Sequence, residues 1–198
     1  MTTTQATSAS STAAVAAAAR TMQTTRGIDL AKLDLKDALD LAILMEDEAR
    51  ERYEEFTRIV GGRYKGDASD MFRTMAASEQ KHGGQLADRR RQLFGDAPRR
   101  ITRDMLEDVE APDRGAPRVF MSARQAMEVA LAAEQKARDF FAAAIPLTAD
   151  AEARTLFENL RHEEVQHERF VRQILDRLPA GPDVEEDEAD EPGTDPGN

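Results

Sequence analysis

Four stretches of this chain carry apolar residues at helical spacing, and each apolar stripe is interrupted near its middle by one glutamate. The first stripe reads Leu39, Ala42, Glu46, Ala49, Tyr53 and Phe56. The second reads Phe72, Met75, Glu79, His82 and Leu86. The third is Met127, Ala130, Glu134, Ala137 and Phe141, and the fourth is Leu160, Glu164, His167, Val171 and Ile174. Steps of three and four residues place each set on one face of an α-helix. In the second and fourth stripes a histidine follows the glutamate three residues on. That spacing separates the two side chains by about 4.5 Å along the helix axis, so both can reach one metal ion or two neighbouring ions.

Electrostatics decides what such a layer can be. Four ionised carboxylates inside an apolar core cost many kcal/mol when nothing compensates them. No lysine or arginine falls in the stripes near the glutamates. Two divalent cations bring four positive charges against four negative ones. Four carboxylates and two imidazoles form a ligand set that iron or manganese accepts, whereas zinc more often takes fewer ligands, with sulfur or several imidazoles. The competing reading is a metal-free bundle with a buried polar layer, which leaves the charge uncompensated.

The connections sort the four helices. The stripes predict helices over about Leu35–Ile59, Ala68–Phe94, Ser122–Ala144 and Ala149–Leu178. Gly61-Gly62 and a short segment around Pro146 make tight links, which set antiparallel neighbours. Asp96–Met121 is long, irregular and rich in Pro, Arg and Asp, and suits a crossover from one end of a bundle to the other. The expected fold is all-α: a ferritin-like four-helix bundle of two helix hairpins joined by a long crossover. The two hairpins echo each other. Glu46, Ala49 and Tyr53 repeat as Glu134, Ala137 and Phe141 at the same offsets, so a pseudo-twofold axis would gather all six ligands at one point.

Composition removes several alternatives. Residues 1–27, rich in Thr, Ser and Ala, read as a disordered arm, and residues 179–198 read as a disordered acidic tail, leaving 28–178 for the bundle. Much of the net charge of −11 sits in that tail, whose bland role is solubility and whose sharper one is partner docking or attraction of cations. The bundle segment carries only a mild acidic excess, which argues against a nucleic-acid partner and against a polybasic membrane contact. There is no cysteine, so disulfides, thiolate zinc sites and iron–sulfur clusters are excluded within this chain. No apolar run approaches the roughly 20 residues of a membrane helix, and a cytoplasmic location is expected.

Glu46-Asp-Glu-Ala-Arg-Glu-Arg-Tyr53, Glu79-Gln-Lys-His82 and Glu164-Val-Gln-His167-Glu-Arg-Phe170 resemble the helix motifs of the rubrerythrin branch of the ferritin-like di-iron carboxylate superfamily, over roughly residues 35–178. The form resembled is the shorter one without a rubredoxin domain, sometimes called erythrin. The resemblance implies metal ligands at Glu46, Glu79, His82, Glu134, Glu164 and His167. It makes Glu79 and Glu164 bridging carboxylates, and Tyr53 a residue that hydrogen-bonds toward a ligand. Two iron ions are expected, with manganese as the other candidate, in a protein that reacts with dioxygen or hydrogen peroxide. The four glutamates act in catalysis through the metals. Ferroxidase and peroxidase chemistry, in iron handling or oxidative stress, both fit, and a peroxidase needs an external electron donor. The alternatives are an iron-sequestering protein, or cargo of a larger shell, without turnover, and a helical adaptor that binds no metal. A homodimer or higher oligomer is implied by resemblance only. One position departs from the pattern: many rubrerythrins carry a further glutamate three residues after the third-helix ligand, and here Ala137 stands there.

Other polar residues have simpler readings. Glu48, Glu128, Glu163 and Glu168 fall off the stripes and read as solvated faces. His162 reads as a surface partner of Glu158, and Arg89-Arg90-Arg91 as a complement to a helix C-terminus. Met71, Met75 and Met127 read as packing.

Overall fold

In the computed structural model, residues 27–106, 109 and 111–179 are described. They form four long helices: α1 (Leu35–Val60), α2 (Ala68–Phe94), α3 (Ala123–Ala144) and α4 (Ala151–Leu175). Each start is fixed by a side chain that accepts an otherwise orphaned backbone N–H. Asp34 takes that of Asp37, Asp67 that of Asp70, Ser122 that of Gln125 and Asp150 that of Ala153. Gln125 also reaches back to the Ser122 N–H and completes a capping box. Gly61 and Gly95 end α1 and α2 at φ values of 63° and 55°, a backbone region that glycine enters without a Cβ penalty. No β-strand forms among the described residues. Most of the arm and tail expected at 1–27 and 179–198 lies outside them.

The helices pack as the all-α, ferritin-like bundle their stripes call for. α1 lies along α2 and α3 along α4, while α2 also meets α3 and α1 meets α4. The pairs α1/α3 and α2/α4 are therefore the diagonals. All the stripe residues are buried except His82, His167 and Ile174, which are partly so. The core divides into two clusters. One holds Leu39, Met45, Leu86, Phe141, Phe157 and Leu160, and the other Tyr53, Phe56, Phe72, Met75, Met127 and Val171. Between them, at the level where Met45 gives way to Ala49, runs the glutamate layer.

The crossover is held to the bundle by both burial and charge. Ile101, Leu106, Val109 and Ala111 are buried on it. Buried Arg52 of α1 donates to the Pro112 carbonyl at 2.7 Å, and Lys136 of α3 donates to the Ala111 carbonyl at 3.0 Å. At the other end Arg100 pairs with Asp37, its Nε at 3.0 Å.

Two expectations are corrected. The fourth helix is shorter than the Ala149–Leu178 read from its stripe. Asp150 must stay extended to cap it, and Arg124 at the start of α3 takes the carbonyls of Leu175 and Leu178 at 2.7 and 2.6 Å, which stops the helix there. Arg90 does not simply complement the end of α2. It is buried, with Nε 2.9 Å from Oδ1 of fully buried Asp40 in α1, and it also donates to the carbonyls of Gly95 (2.8 Å) and Ala97. Lys36 reaches Asp40 at 3.0 Å from the other side. The partner lies 50 residues away in sequence, so helical periodicity carries no sign of it.

Removing one partner of a buried ion pair leaves the other charged, buried and uncompensated, at a cost of about 3–5 kcal/mol. Asp40→Asn is expected to lose about 3 kcal/mol in urea denaturation. Asp88→Asn, which alters an exposed pair with Arg91 at 3.6 Å, should change stability by less than about 0.5 kcal/mol.

Candidate metal centre

Midway along the bundle, α1 and α2 bring Glu46, Glu79 and His82 together, and α3 and α4 bring Glu134, Glu164 and His167 together. In each trio the potential ligand atoms lie within 4.8 Å of one another. The glutamates are 1–5 % exposed. The histidine side chains, at 17 % and 20 %, are the parts of the layer nearest solvent. The two imidazoles stack across the α2/α4 diagonal, with ring centroids 4.4 Å apart and planes 6° from parallel. All six residues singled out in sequence thus converge on one place.

The two trios differ in how they satisfy their polar atoms. Nδ1 of His167 lies 3.2 Å from Oε2 of both Glu134 and Glu164, within hydrogen-bond reach of each. Nδ1 of His82 sits 3.6 Å from Glu79 and 4.0 Å from Glu46. Neither carboxylate oxygen of Glu79 nor Nδ1 of His82 has a hydrogen-bond partner, although all three atoms are buried. Among the described residues no lysine or arginine ion-pairs with Glu79, Glu134 or Glu164. A buried carboxylate with no donor facing it is costly, and the usual resolutions are a proton or a cation.

Protons answer part of the charge. Burial pushes the Glu134 carboxyl well up, reinforced by the neighbouring carboxylates Glu79 and Glu164, against the opposing hydrogen bond from His167. For His167 burial works downward, but the two carboxylates prevail and hold its imidazole up at about 10. At neutral pH the metal-free α3/α4 trio therefore keeps a proton that a metal ion must displace.

Tyr53 is buried about two turns from Glu46, its ring 6.1 Å from that of Phe72. Met75 and Met127 are core, as expected. Glu128 and Glu163 are exposed, as read from their phase. Glu168 is not: it is buried beside His167, with Oε1 2.5 Å from Nη1 of Arg138. Helical phase puts Glu168 off the stripe, but Arg138 of α3 reaches across and covers it. Glu48 is likewise half-buried, 3.4 Å from Arg52. His162 meets Gln166 at 3.2 Å, and not Glu158. Sequence reasoning also passed over Gly83. It directly follows His82, and a Cβ built on it would lie 3.2 Å from Cβ of Glu46. A glycine next to a candidate ligand, inside a helix where glycine is unfavourable, was the available signal.

A helical bundle with paired Glu–Glu–His trios at mid-height defines a ferritin-like protein with a candidate dinuclear centre. The family model described as Rubrerythrin matches residues 37–175, and the chain belongs to that family. Among solved structures it is similar to an uncharacterized conserved protein from Magnetospirillum magnetotacticum MS-1. Identity is 24 %, the TM-score is 0.58, and the match covers 75 % of this chain and 98 % of that one. It is also similar to a hypothetical protein from Pyrococcus furiosus, at 19 % identity and TM-score 0.48, with 76 % and 95 % covered. No curated protein matches. Among the described residues no helix is long and apolar enough to cross a membrane.

The Gly83 contact gives a direct test of how closely α1 and α2 must approach. Gly83→Val forces a branched side chain against Glu46 and should destabilise by about 1–3 kcal/mol. Gly84→Ala, which points into open space on an exposed position, should stabilise by about 0.5–1 kcal/mol. Urea denaturation of the two variants reads the difference.

Proposed function

We propose that Glu46, Glu79, His82, Glu134, Glu164 and His167 hold two divalent metal ions, and that the protein is a di-iron oxidoreductase acting on dioxygen or hydrogen peroxide. The observation that carries this reading is Glu79. Its carboxylate is buried, faces no donor and lies within ligand distance of Glu46 and His82. An oxygen- and nitrogen-rich, sulfur-free donor set fits iron or manganese. Membership of the rubrerythrin family supports iron.

When bound, a pair of ferrous ions supplies two electrons to the oxidant. The chain's own residues do the rest. Glu46 and Glu134 would each offer a carboxylate from one hairpin, and Glu79 and Glu164 would supply the carboxylates that the family resemblance makes bridging. The imidazoles cap the layer on its more accessible side, and their stacking fixes both ring planes. The apolar clusters above and below the layer keep bulk water from it, which strengthens each charge interaction inside. Tyr53, buried near Glu46, supplies a hydroxyl for a hydrogen bond toward the ligand layer.

Iron-loaded protein should retain about two ions per chain through repeated peroxide or oxygen challenge, read by metal analysis and peroxide consumption. Uptake of many ions per chain would favour sequestration, and the acidic tail would then invite the same measurement after its removal. Glu79→Ala and Glu164→Ala should each prevent retention of the full two ions per chain.

The His167 proton sets the pH dependence. Because the metal-free trio holds a proton up to about pH 10, metal affinity should rise with pH across the neutral range and level off above that value. Calorimetry of metal binding in buffers of different ionisation enthalpy should report net proton release. An affinity flat from pH 6 to pH 9 would contradict it.

A further inference from the structure

We propose that the two halves of the centre are inequivalent and load in order, the Glu46–Glu79–His82 half taking the first divalent ion and the Glu134–Glu164–His167 half the second. This rests on the reading of the six residues as a dinuclear metal site.

The first observation is the different state of the donor atoms. In the α1/α2 half, both oxygens of Glu79 and Nδ1 of His82 are buried without hydrogen bonds. Their desolvation is already spent in the folded protein, and an incoming cation breaks nothing to reach them. In the α3/α4 half, Nδ1 of His167 is engaged by Glu134 and Glu164 at 3.2 Å each. An ion entering there must first part these three groups. Each such contact is one it replaces and not one it adds.

The second observation is the different scaffolding. Four residues beyond the paired ligands, the two hairpins place Arg50 and Gly83 on one side and Arg138 and Glu168 on the other. In the first hairpin Arg50 turns to Glu54 of its own helix at 2.8 Å, and Gly83 lets α2 close directly on Glu46. The spacing there is set by backbone packing. In the second hairpin, buried Glu168 and Arg138 span α3 and α4 beside His167, and the spacing is set by a side-chain ion pair whose arginine is 33 % exposed. The first half is therefore the rigid, preformed one and the second the adjustable one. Arg138 and Glu168 are positioning residues for the second ion.

Cobalt(II) titration of the metal-free full-length chain, followed by calorimetry and visible absorption, tests the order. Wild type should bind two ions in resolvable steps. His82→Ala should weaken the first step by about tenfold or more, while His167→Ala should lose the second step and weaken the first by clearly less than His82→Ala does, by no more than the lost ring stacking accounts for. Glu168→Gln should leave the first step alone and weaken the second by about tenfold. The one-equivalent cobalt spectrum of wild type should match that of His167→Ala, a signature that loss of stability does not produce. Circular dichroism melts of the metal-free variants confirm that each is folded. Two ions bound with the tight step lost in His167→Ala, or with both histidine variants equally impaired, overturns the order while the metal site stands. A wild-type chain that binds no cobalt overturns both.

Discussion

Four carboxylates in the interior of a bundle are the condition to which everything else in this molecule responds. Apolar burial can hold four helices together without them, and at about 25 cal/mol per Å² the two flanking clusters supply ample driving force. The clusters cannot dispose of four negative charges. Those charges need protons or cations in the same layer, and the ordered features nearby limit how far the layer can shift. The stacked imidazoles, the close approach at Gly83 and the Arg138–Glu168 pair all limit how far the layer can relax. Relaxation is the danger, since a bundle free to shift would turn the carboxylates toward water.

The same economy governs the ends of the molecule. Asp40 is as thoroughly buried as any ligand glutamate, yet it is answered by Arg90, Lys36 and, at 3.4 Å, Arg99. Two kinds of buried acid therefore coexist within the α1/α2 hairpin. One is surrounded by guanidinium and ammonium groups and works as a structural tie. The other, Glu79 in the mid-height layer, ion-pairs with no lysine or arginine among the described residues, and that contrast separates scaffold from candidate site more sharply than burial does.

Much of this was legible in the sequence because it is local. Apolar periodicity and the i, i+3 spacing of Glu79 with His82 and of Glu164 with His167 are properties of single helices, so the helices, their order and the six residues that meet could all be read directly. What escaped reading depends on the register of one helix against another. Arg90 with Asp40, Arg138 with Glu168 and Arg124 with the end of α4 join positions 30–55 residues apart, and nothing in one strand of sequence fixes which polar residues a neighbour will cover. Glu168 shows the limit most plainly: its helical phase is that of a solvated residue, and it becomes interior only because an arginine on α3 lies over it. The fourth helix was read too long for the same reason, since its stop comes from outside itself.

The way the crossover is fastened has an evolutionary corollary. Arg52 and Lys136 grip it through the carbonyls of Pro112 and Ala111, groups that every amino acid possesses. At this point the anchoring chemistry resides in the helices, and the strap contributes its main-chain path, while its buried Ile101, Leu106 and Val109 fasten it elsewhere. The exposed side chains beside that grip, such as Asp113 and Arg114, are left free to diverge between lineages, provided the strap's length, its buried apolar residues and the two cationic hooks persist.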